Sequence, residues 1–167
     1  MLWFEVDHPA THQDKHARLD RLGIDGGHLR FVAADFTVDP VAGLLISAGL
    51  DPGRPSLFLL EGVAVYLEEA VLRSLLAQLR RIAADGSRLA ISLSVNGGSP
   101  ERAARRAAFQ AAVAAVGEPA RLVVAGADAD TLLESTRWRP VREPSAGDRA
   151  AHAGFIVAEP IAVPATP

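Results

Sequence analysis

The stretch SLFLLEGVAVYLEEAVLRSLLAQLRRIAADGSRLAISL (residues 56–93) decides the fold class, because it has the pattern of a strand, a helix and a second strand. Its two ends, 56–60 and 88–93, are short and almost entirely apolar, as expected of strands buried on both faces of a parallel sheet. Between them, apolar residues recur every three or four positions, which predicts a helix with one buried stripe from residue 67 to near residue 86. This succession predicts an α/β domain with a mostly parallel sheet.

The rest of the chain continues the alternation. It predicts further strands at residues 2–6, 29–33, 140–143 and 154–158. It also predicts helices at residues 9–22, 39–49, 100–116 and 128–136. Pro9 suits the first turn of its helix, and Gly23 falls where a left-handed cap would end it. We expect one domain over residues 1–159 and a proline-rich extended tail at 160–167.

Composition narrows the class of function. The chain has 167 residues, of which 49% are hydrophobic, so it can bury a sizeable core. Its 17 basic and 20 acidic residues nearly balance, and no basic cluster is flanked by aromatics, which argues against a nucleic-acid partner. The absence of cysteine excludes disulfides, thiolate zinc sites and cysteine nucleophiles. Without a membrane-length apolar run or a leader pattern, we expect no membrane partner and a cytoplasmic location.

Acidic residues end three successive predicted strands. Glu5 and Asp7 end the first, Asp35 ends the second, and Glu61 ends the third. In open α/β sheets the ligand lies at the carboxyl ends of the strands, where a carboxylate can accept two hydroxyl donors from a ribose. The alternative is that each acid caps the following helix, a common role for Asp. Glu61 is the least cap-like, because Glu is a poor cap and the following GVAVYL is still apolar.

Five segments together carry a family resemblance. They are FEVDHPATHQDKHARL (4–19), FVAADF (31–36), AGLDPGRPSLFLLEGVAVYLEE (48–69), WRPVREP (138–144) and GFIVAE (154–159). In combination they resemble the leucine carboxyl methyltransferases and their bacterial relatives, among them the polyketide O-methyltransferases. The resemblance extends from the first residue nearly to the last.

The resemblance implies a Rossmann-like class I methyltransferase sheet, mostly parallel with an antiparallel C-terminal strand, and S-adenosylmethionine lying across the strand ends. By the same resemblance, Asp7 binds the ribose hydroxyls with Glu5 as the alternate ligand, Asp35 and Phe36 hold the adenine edge, and Glu61 lies beside the cofactor. The implied reaction is methyl transfer to a carboxylate or hydroxyl oxygen of a small molecule or peptide end. No catalytic residue is assigned.

One departure from the family is large. The family's first strand and its Gly-rich turn of the GxGxD type precede the position where this sequence starts, so we expect a truncated sheet with two unpaired internal edges. Unpaired edges favour self-association. Two other functions therefore stay open. One is a non-catalytic remnant or pseudoenzyme that completes its sheet with a partner; the other is a different nucleotide-binding α/β protein, although no GxGxxG is present.

Three histidines, His8, His12 and His16, are spaced by four on the first helix and share one face. Two imidazoles at this spacing can bind a metal, but a solvated helix face is the commoner explanation, and no metal site is predicted. If the methyl acceptor is a hydroxyl, His8 is a candidate general base.

Overall fold

The computed structural model describes residues 1–24, 27–96, 101, 104, 107, 108, 122, 124–141 and 155–162. The chain divides into two compact units, Met1–Pro52 and Gly53–Pro167. The helix predicted at residues 100–116 falls mostly outside the described residues, although the four that are described within it are helical. The division into a domain at residues 1–159 and a tail at 160–167 stays a prediction.

The first unit is a strand-helix-strand motif followed by a short helix. Its elements are β1 (Trp3–Asp7), α1 (Pro9–Leu22), β2 (Leu29–Ala33) and α2 (Val41–Ser47). The two strands are parallel, with Trp3 opposite Leu29 and Asp7 opposite Ala33. As predicted, α1 begins at Pro9 and ends at Gly23, whose φ of 63° is left-handed.

The second unit contains the larger sheet. Its elements are β3 (Leu57–Leu60), a 3₁₀ helix (Ala64–Tyr66), α3 (Glu69–Arg81), β4 (Arg88–Ser92), β5 (Val95–Asn96), β6 (Val124–Ala125), α4 (Gly126–Ser135), β7 (Trp138–Pro140) and β8 (Phe155–Pro160). The four-stranded sheet has the order β3-β4-β8-β7. β3 and β4 are parallel, and β8 is antiparallel to both of its neighbours. The short parallel pair β5–β6 was not predicted from the sequence.

The apolar stripe of α3 forms much of the core of the second unit. Its buried members are Leu72, Leu75, Leu76 and Leu79. Trp138 is fully buried, its Nε1 donates to the carbonyl oxygen of Leu76 at 3.0 Å, and its ring meets Phe58 edge-on. This buried indole therefore links β7, β3 and α3.

β1 and β3 are both edge strands in the described part of the chain. Among the described residues, β1 pairs with β2 alone and β3 pairs with β4 alone. Leu57 and Leu59 of β3 are 65% and 57% exposed, and Trp3 of β1 is 54% exposed. The unpaired edges expected at residues 2–6 and 56–60 are therefore present in the structure.

Two predicted helix starts are wrong. Asp39 does not cap α2: the N-cap is Pro40, and the Oδ2 of Asp39 instead accepts a hydrogen bond from the backbone N–H of Asp35 at 2.8 Å. α3 begins at Glu69 rather than at residue 67, because the 3₁₀ turn before it ends at Leu67, whose extended backbone interrupts the helix.

The strand predicted at residues 140–143 starts two residues and ends three residues too late, since β7 spans Trp138–Pro140. The shift follows from the burial of Trp138, which the core requires, and from Arg137, whose φ of 67° ends α4 immediately before the strand. No helix in the described part of the chain is long and apolar enough to cross a membrane.

Candidate functional site

The carboxyl end of the β1–β2 pair brings two of the predicted acids to one edge. Asp7 is the last residue of β1, and its carbonyl oxygen accepts a hydrogen bond from the N–H of Ala34, immediately after β2, at 2.9 Å. Asp35 and Phe36 follow directly, so their side chains belong to the same edge of the sheet. All three of Asp7, Asp35 and Phe36 are partly buried. Parallel pairing in this register is therefore what gathers them.

A charged cluster surrounds Asp7. Glu5 lies two residues before it in β1 and shares its face of the sheet, and the carboxylate of Glu5 forms an ion pair with the Nζ of Lys15 on α1. Burial raises the pKa of the Asp7 carboxyl, and the charge of Glu5 raises that pKa further. The charges of Lys15 and, more weakly, His12 act in the opposite direction on the same pKa.

Asp35 has a local structural role as well as a place in the site. Its Oδ1 accepts hydrogen bonds from the backbone N–H of Thr37 at 2.9 Å and from the Oγ1 of Thr37 at 2.6 Å. These bonds lower the pKa of the Asp35 carboxyl, because they stabilise its ionised form. Asp35 thus stabilises the turn after β2 and does not cap α2, whose N-cap is Pro40; its second oxygen has no hydrogen bond within the described part of the chain.

Glu61 follows β3 and is exposed. The next residue, Gly62, has a left-handed φ of 69°, and its N–H donates to the Oγ of Ser92, at the end of the parallel strand β4, at 2.8 Å. The 3₁₀ helix that follows has Val63 as its N-cap and no side-chain cap. Glu61, the least cap-like of the acids by sequence, does not cap this helix, and its carboxylate has no partner among the described residues.

The histidine face of α1 is used for packing. The rings of His12 and His16 lie 4.4 Å apart, and the ring of His16 lies 4.6 Å from that of Phe31 on β2. The solvated-face interpretation is therefore wrong for these two residues, because α1 lies on the β1–β2 pair through them. His8 is the N-cap of α1, and its Nδ1 accepts from the N–H of Ala10 at 3.3 Å.

Sequence reasoning missed a basic cavity of about 460 Å³ in the second unit. It is lined by Ala77, Arg80, Arg81, Ser135, Thr136 and Arg137. Arg80 donates to the carbonyl oxygens of Ala83 and Ile161, so it joins the end of α3 to the end of β8. The end of α3 precedes β4, which places the cavity at the amino ends of the strands, opposite the edge that carries Glu61. The sequence pattern carries no signal for it.

These features define the class of protein. Parallel β1–β2 and β3–β4 pairs, an antiparallel β8, and acids at the carboxyl ends of the strands are the Rossmann-like arrangement of class I methyltransferases. Solved structures agree: a Thermobifida fusca YX protein described as a methyltransferase matches with a TM-score of 0.64 at 17% identity, over 95% of this chain and 63% of that one. Human N-acetylserotonin methyltransferase in complex with SAM matches with a TM-score of 0.60 at 14% identity, over 95% of this chain and 40% of that one. The predicted fold class is confirmed.

Sequence comparison identifies the family. Residues 1–80 match the family model of the leucine carboxyl methyltransferases. A Mycobacterium avium (strain 104) protein named as an S-adenosyl-L-methionine-dependent methyltransferase is 31% identical over 150 residues, which are 84% of this chain and 47% of the relative. A Mycolicibacterium paratuberculosis protein of the same name is 40% identical over 89 residues, 52% of this chain and 28% of the relative. Residues 1–80 therefore belong to the leucine carboxyl methyltransferase family, and the chain spans less than half the length of these curated relatives.

Proposed function

We propose that this chain is the cofactor-binding part of an S-adenosylmethionine-dependent methyltransferase acting on a carboxylate or hydroxyl oxygen. The acceptor would be a small molecule or a peptide end, with neither nucleic acid nor membrane as a partner. One observation carries the proposal: parallel pairing of β1 with β2 brings Asp7 and Asp35 to the carboxyl edge of the sheet. That edge lies within the residues that match the family model.

The donor set of the edge fits a nucleoside. A nucleoside offers hydroxyl and amino hydrogens, and carboxylate oxygens are acceptors for both. Asp7 would accept from the ribose hydroxyls, with Glu5 as the alternate ligand. The free oxygen of Asp35 would accept from the adenine amino group, and the ring of Phe36 would pack on the base. Glu61 belongs to the second unit, and its place beside the cofactor stays a prediction from the family resemblance.

S-adenosylmethionine supplies a methyl group already activated on a sulfonium. In the transfer, the acceptor oxygen attacks the methyl carbon, the carbon–sulfur bond breaks, and its electron pair stays on sulfur as a neutral thioether. The task of the protein is alignment, since holding two reactants in line supplies several kcal/mol of the barrier reduction. A carboxylate acceptor needs no base. A hydroxyl acceptor must lose its proton, and His8, adjacent to Asp7, would be the candidate general base.

Calorimetric titration with S-adenosylhomocysteine, the demethylated product, tests the proposal on the chain as it exists. We expect saturable binding that Asp7→Asn weakens at least tenfold, about the effect of losing one charged hydrogen bond. Asp14→Asn is the matched control, because it removes a carboxylate that is exposed on α1 and paired only with Arg18. Equal binding by the Asp7 and Asp14 variants, or no binding by the parent chain, would refute the proposed site.

The acceptor atom has its own test. Methyl groups transferred to a carboxylate form esters, which mild base hydrolyses with release of methanol, whereas methyl ethers on hydroxyl oxygens survive it. Radiolabelled methyl donor incubated with the protein and candidate acceptors would therefore distinguish the two. Base-stable label on nitrogen or carbon atoms would contradict the proposed oxygen chemistry.

A second function, completion of the sheet by another chain, is favoured by the β3 edge. Among the described residues of the second unit, Leu57 and Leu59 are the two most exposed large apolar residues, and they lie on β3, which pairs with β4 alone. Exposed apolar edges of this kind recruit further strands. We take the occupant to be a second copy of this chain, since every copy presents the same edge.

Sedimentation velocity over a range of protein concentrations measures this association. We expect a concentration-dependent dimer that the double variant Leu57→Lys/Leu59→Lys converts to monomer, because like charges on adjoining strands repel. Val38→Lys is the matched control, since Val38 is 77% exposed but lies in a turn. A monomeric parent chain, or a dimer unaffected by the lysines, would refute the edge as the interface.

A further inference from the structure

Lys15 is the one lysine of the chain and lies in the middle of α1. Its ammonium forms an ion pair with the carboxylate of Glu5 on β1, and the two side chains are 43% and 30% exposed. Because the pair is partly buried, solvent and salt screen its charges less than they would screen those of a fully exposed pair. Lys15 is therefore fixed over the face of β1 that also carries Asp7.

Glu5 and Asp7 are two residues apart on one strand, so their carboxyls point to the same face of the sheet. Their partners on β2 in the register are Phe31 and Ala33, neither of which carries a charge. The positive groups that face this pair of acids come from α1, namely Lys15 and His12. Of these two, Lys15 has the larger electrostatic effect on Asp7, so Lys15 is the main cation that balances the two acids.

We propose that Lys15, acting through Glu5, is a positioning residue that keeps the Asp7 carboxylate charged and oriented for a hydroxyl-bearing ligand. This inference rests on the proposed function, in which Asp7 binds a ribose. An ionised carboxylate accepts hydrogen bonds with both oxygens, whereas a protonated one donates through its hydroxyl and grips a diol less well. In this proposal Lys15 does not contact the ligand itself, and it acts on binding only through the two acids.

The electrostatics give the sign of the effect. Burial and the neighbouring charge of Glu5 already raise the pKa of Asp7, and Lys15 opposes them. Removing the ammonium would leave two like charges unbalanced on one face, which raises the pKa of Asp7 further. Removing Glu5 as well would relieve that repulsion, so the double variant would titrate much like the parent protein.

The experiment has two readouts. Carbon-detected NMR of the Asp7 carboxyl in the ligand-free protein gives its pKa, and calorimetry with S-adenosylhomocysteine gives Kd at pH 5 and pH 8. For Lys15→Met we expect a higher pKa and a Kd weakened by roughly 3- to 10-fold at pH 5, with a smaller loss at pH 8. Lys15→Arg should restore both values, and Glu5→Gln/Lys15→Met should return the pKa toward that of the parent.

Arg18→Met is the matched control. It removes a cation from the same helix, but Arg18 is 64% exposed and pairs with Asp14, so both readouts should stay at the parent values. An unchanged Asp7 titration in Lys15→Met, or failure of Lys15→Arg to rescue, would overturn the inference while leaving the proposed function standing. If the parent binds no ligand at either pH, the proposed function fails, and the carboxyl titration still decides whether Lys15 controls the charge of Asp7.

Discussion

Gly62 is the residue that lets the chain turn after β3 while Glu61 stays exposed, and replacing it with alanine tests that reasoning. Its φ is 69°, and a Cβ built there has no atom within 4 Å. The cost of Gly62→Ala is therefore conformational and not steric. A non-glycine residue in the left-handed region costs about 1–2 kcal/mol, and alanine recovers about 0.4–1 kcal/mol by restricting the unfolded chain. We expect the free energy of unfolding of the second unit to fall by about 1 kcal/mol.

Gly43 provides a control of opposite sign. A Cβ at Gly43 also meets nothing within 4 Å, but this residue lies in α2 and has no left-handed φ. Alanine is the better helix former, so Gly43→Ala should stabilise the first unit by up to about 1 kcal/mol. The two glycines thus differ in backbone conformation and not in the space around them.

The two tryptophans make the assay specific to each unit. Trp138 is buried in the second unit, and Trp3 is 54% exposed in the first. In a Trp3→Phe background, urea unfolding followed by fluorescence reports on Trp138 alone. A Gly62→Ala protein with an unchanged or higher urea midpoint would refute the argument that this turn requires glycine.

Two further predictions concern the second unit. Trp138→Phe keeps a buried ring but leaves the hydrogen bond to the Leu76 carbonyl unmade, so we expect a loss of about 1–3 kcal/mol in urea unfolding, and equal stability would contradict the role of that bond. Hydrogen bonding and the charge of Arg139 lower the pKa of Glu159, so the stability from this pair is present at neutral pH and is lost as the pH falls below the ordinary carboxyl value of 4.5. Arg139→Gln should raise that pKa in an NMR titration and reduce the acid sensitivity of stability; an unmoved Glu159 signal would refute it.

The sequence predicted those elements whose signals are local. Pro9 and Gly23 mark the ends of α1 correctly, because a first-turn proline and a left-handed glycine act through their own backbone angles. The leucine stripe of α3 was likewise readable from spacing. The start of α2 was placed two residues too early, at Asp39, whose carboxylate instead accepts a hydrogen bond from the backbone N–H of Asp35 in the preceding turn. The position of β7 depended on the burial of Trp138, a contact with distant residues that periodicity does not contain.

In the candidate site, too, the features with local sequence signals were predicted and the contacts between different elements were not. The acids at the strand ends could be located from the sequence, because the apolar runs that mark the strands stop there. Their roles come from the family resemblance and stay predictions. The ion pair between Lys15 and Glu5 was not predicted, since it joins a helix face to a strand face ten residues away. The packing of His12 and His16 on Phe31 was missed for a similar reason: it requires knowing which face of α1 meets the sheet.

One carboxylate can both stabilise a turn and bind a ligand, and we propose both roles for Asp35. Its Oδ1 accepts two hydrogen bonds from Thr37, one from the backbone N–H and one from the side-chain hydroxyl. These bonds restrict the rotation of the carboxylate, and its Oδ2 is available to a ligand. An acid whose first oxygen is committed to the backbone loses less entropy when its second oxygen binds a ligand. Glu61 makes no such hydrogen bonds among the described residues, so its substitution should change the free energy of unfolding little. Binding a ligand would require its side chain to lose conformational entropy. Asp35→Asn should therefore destabilise the first unit more than Glu61→Gln destabilises the second, and the reverse order in urea unfolding would show that the turn does not depend on the Asp35 carboxylate.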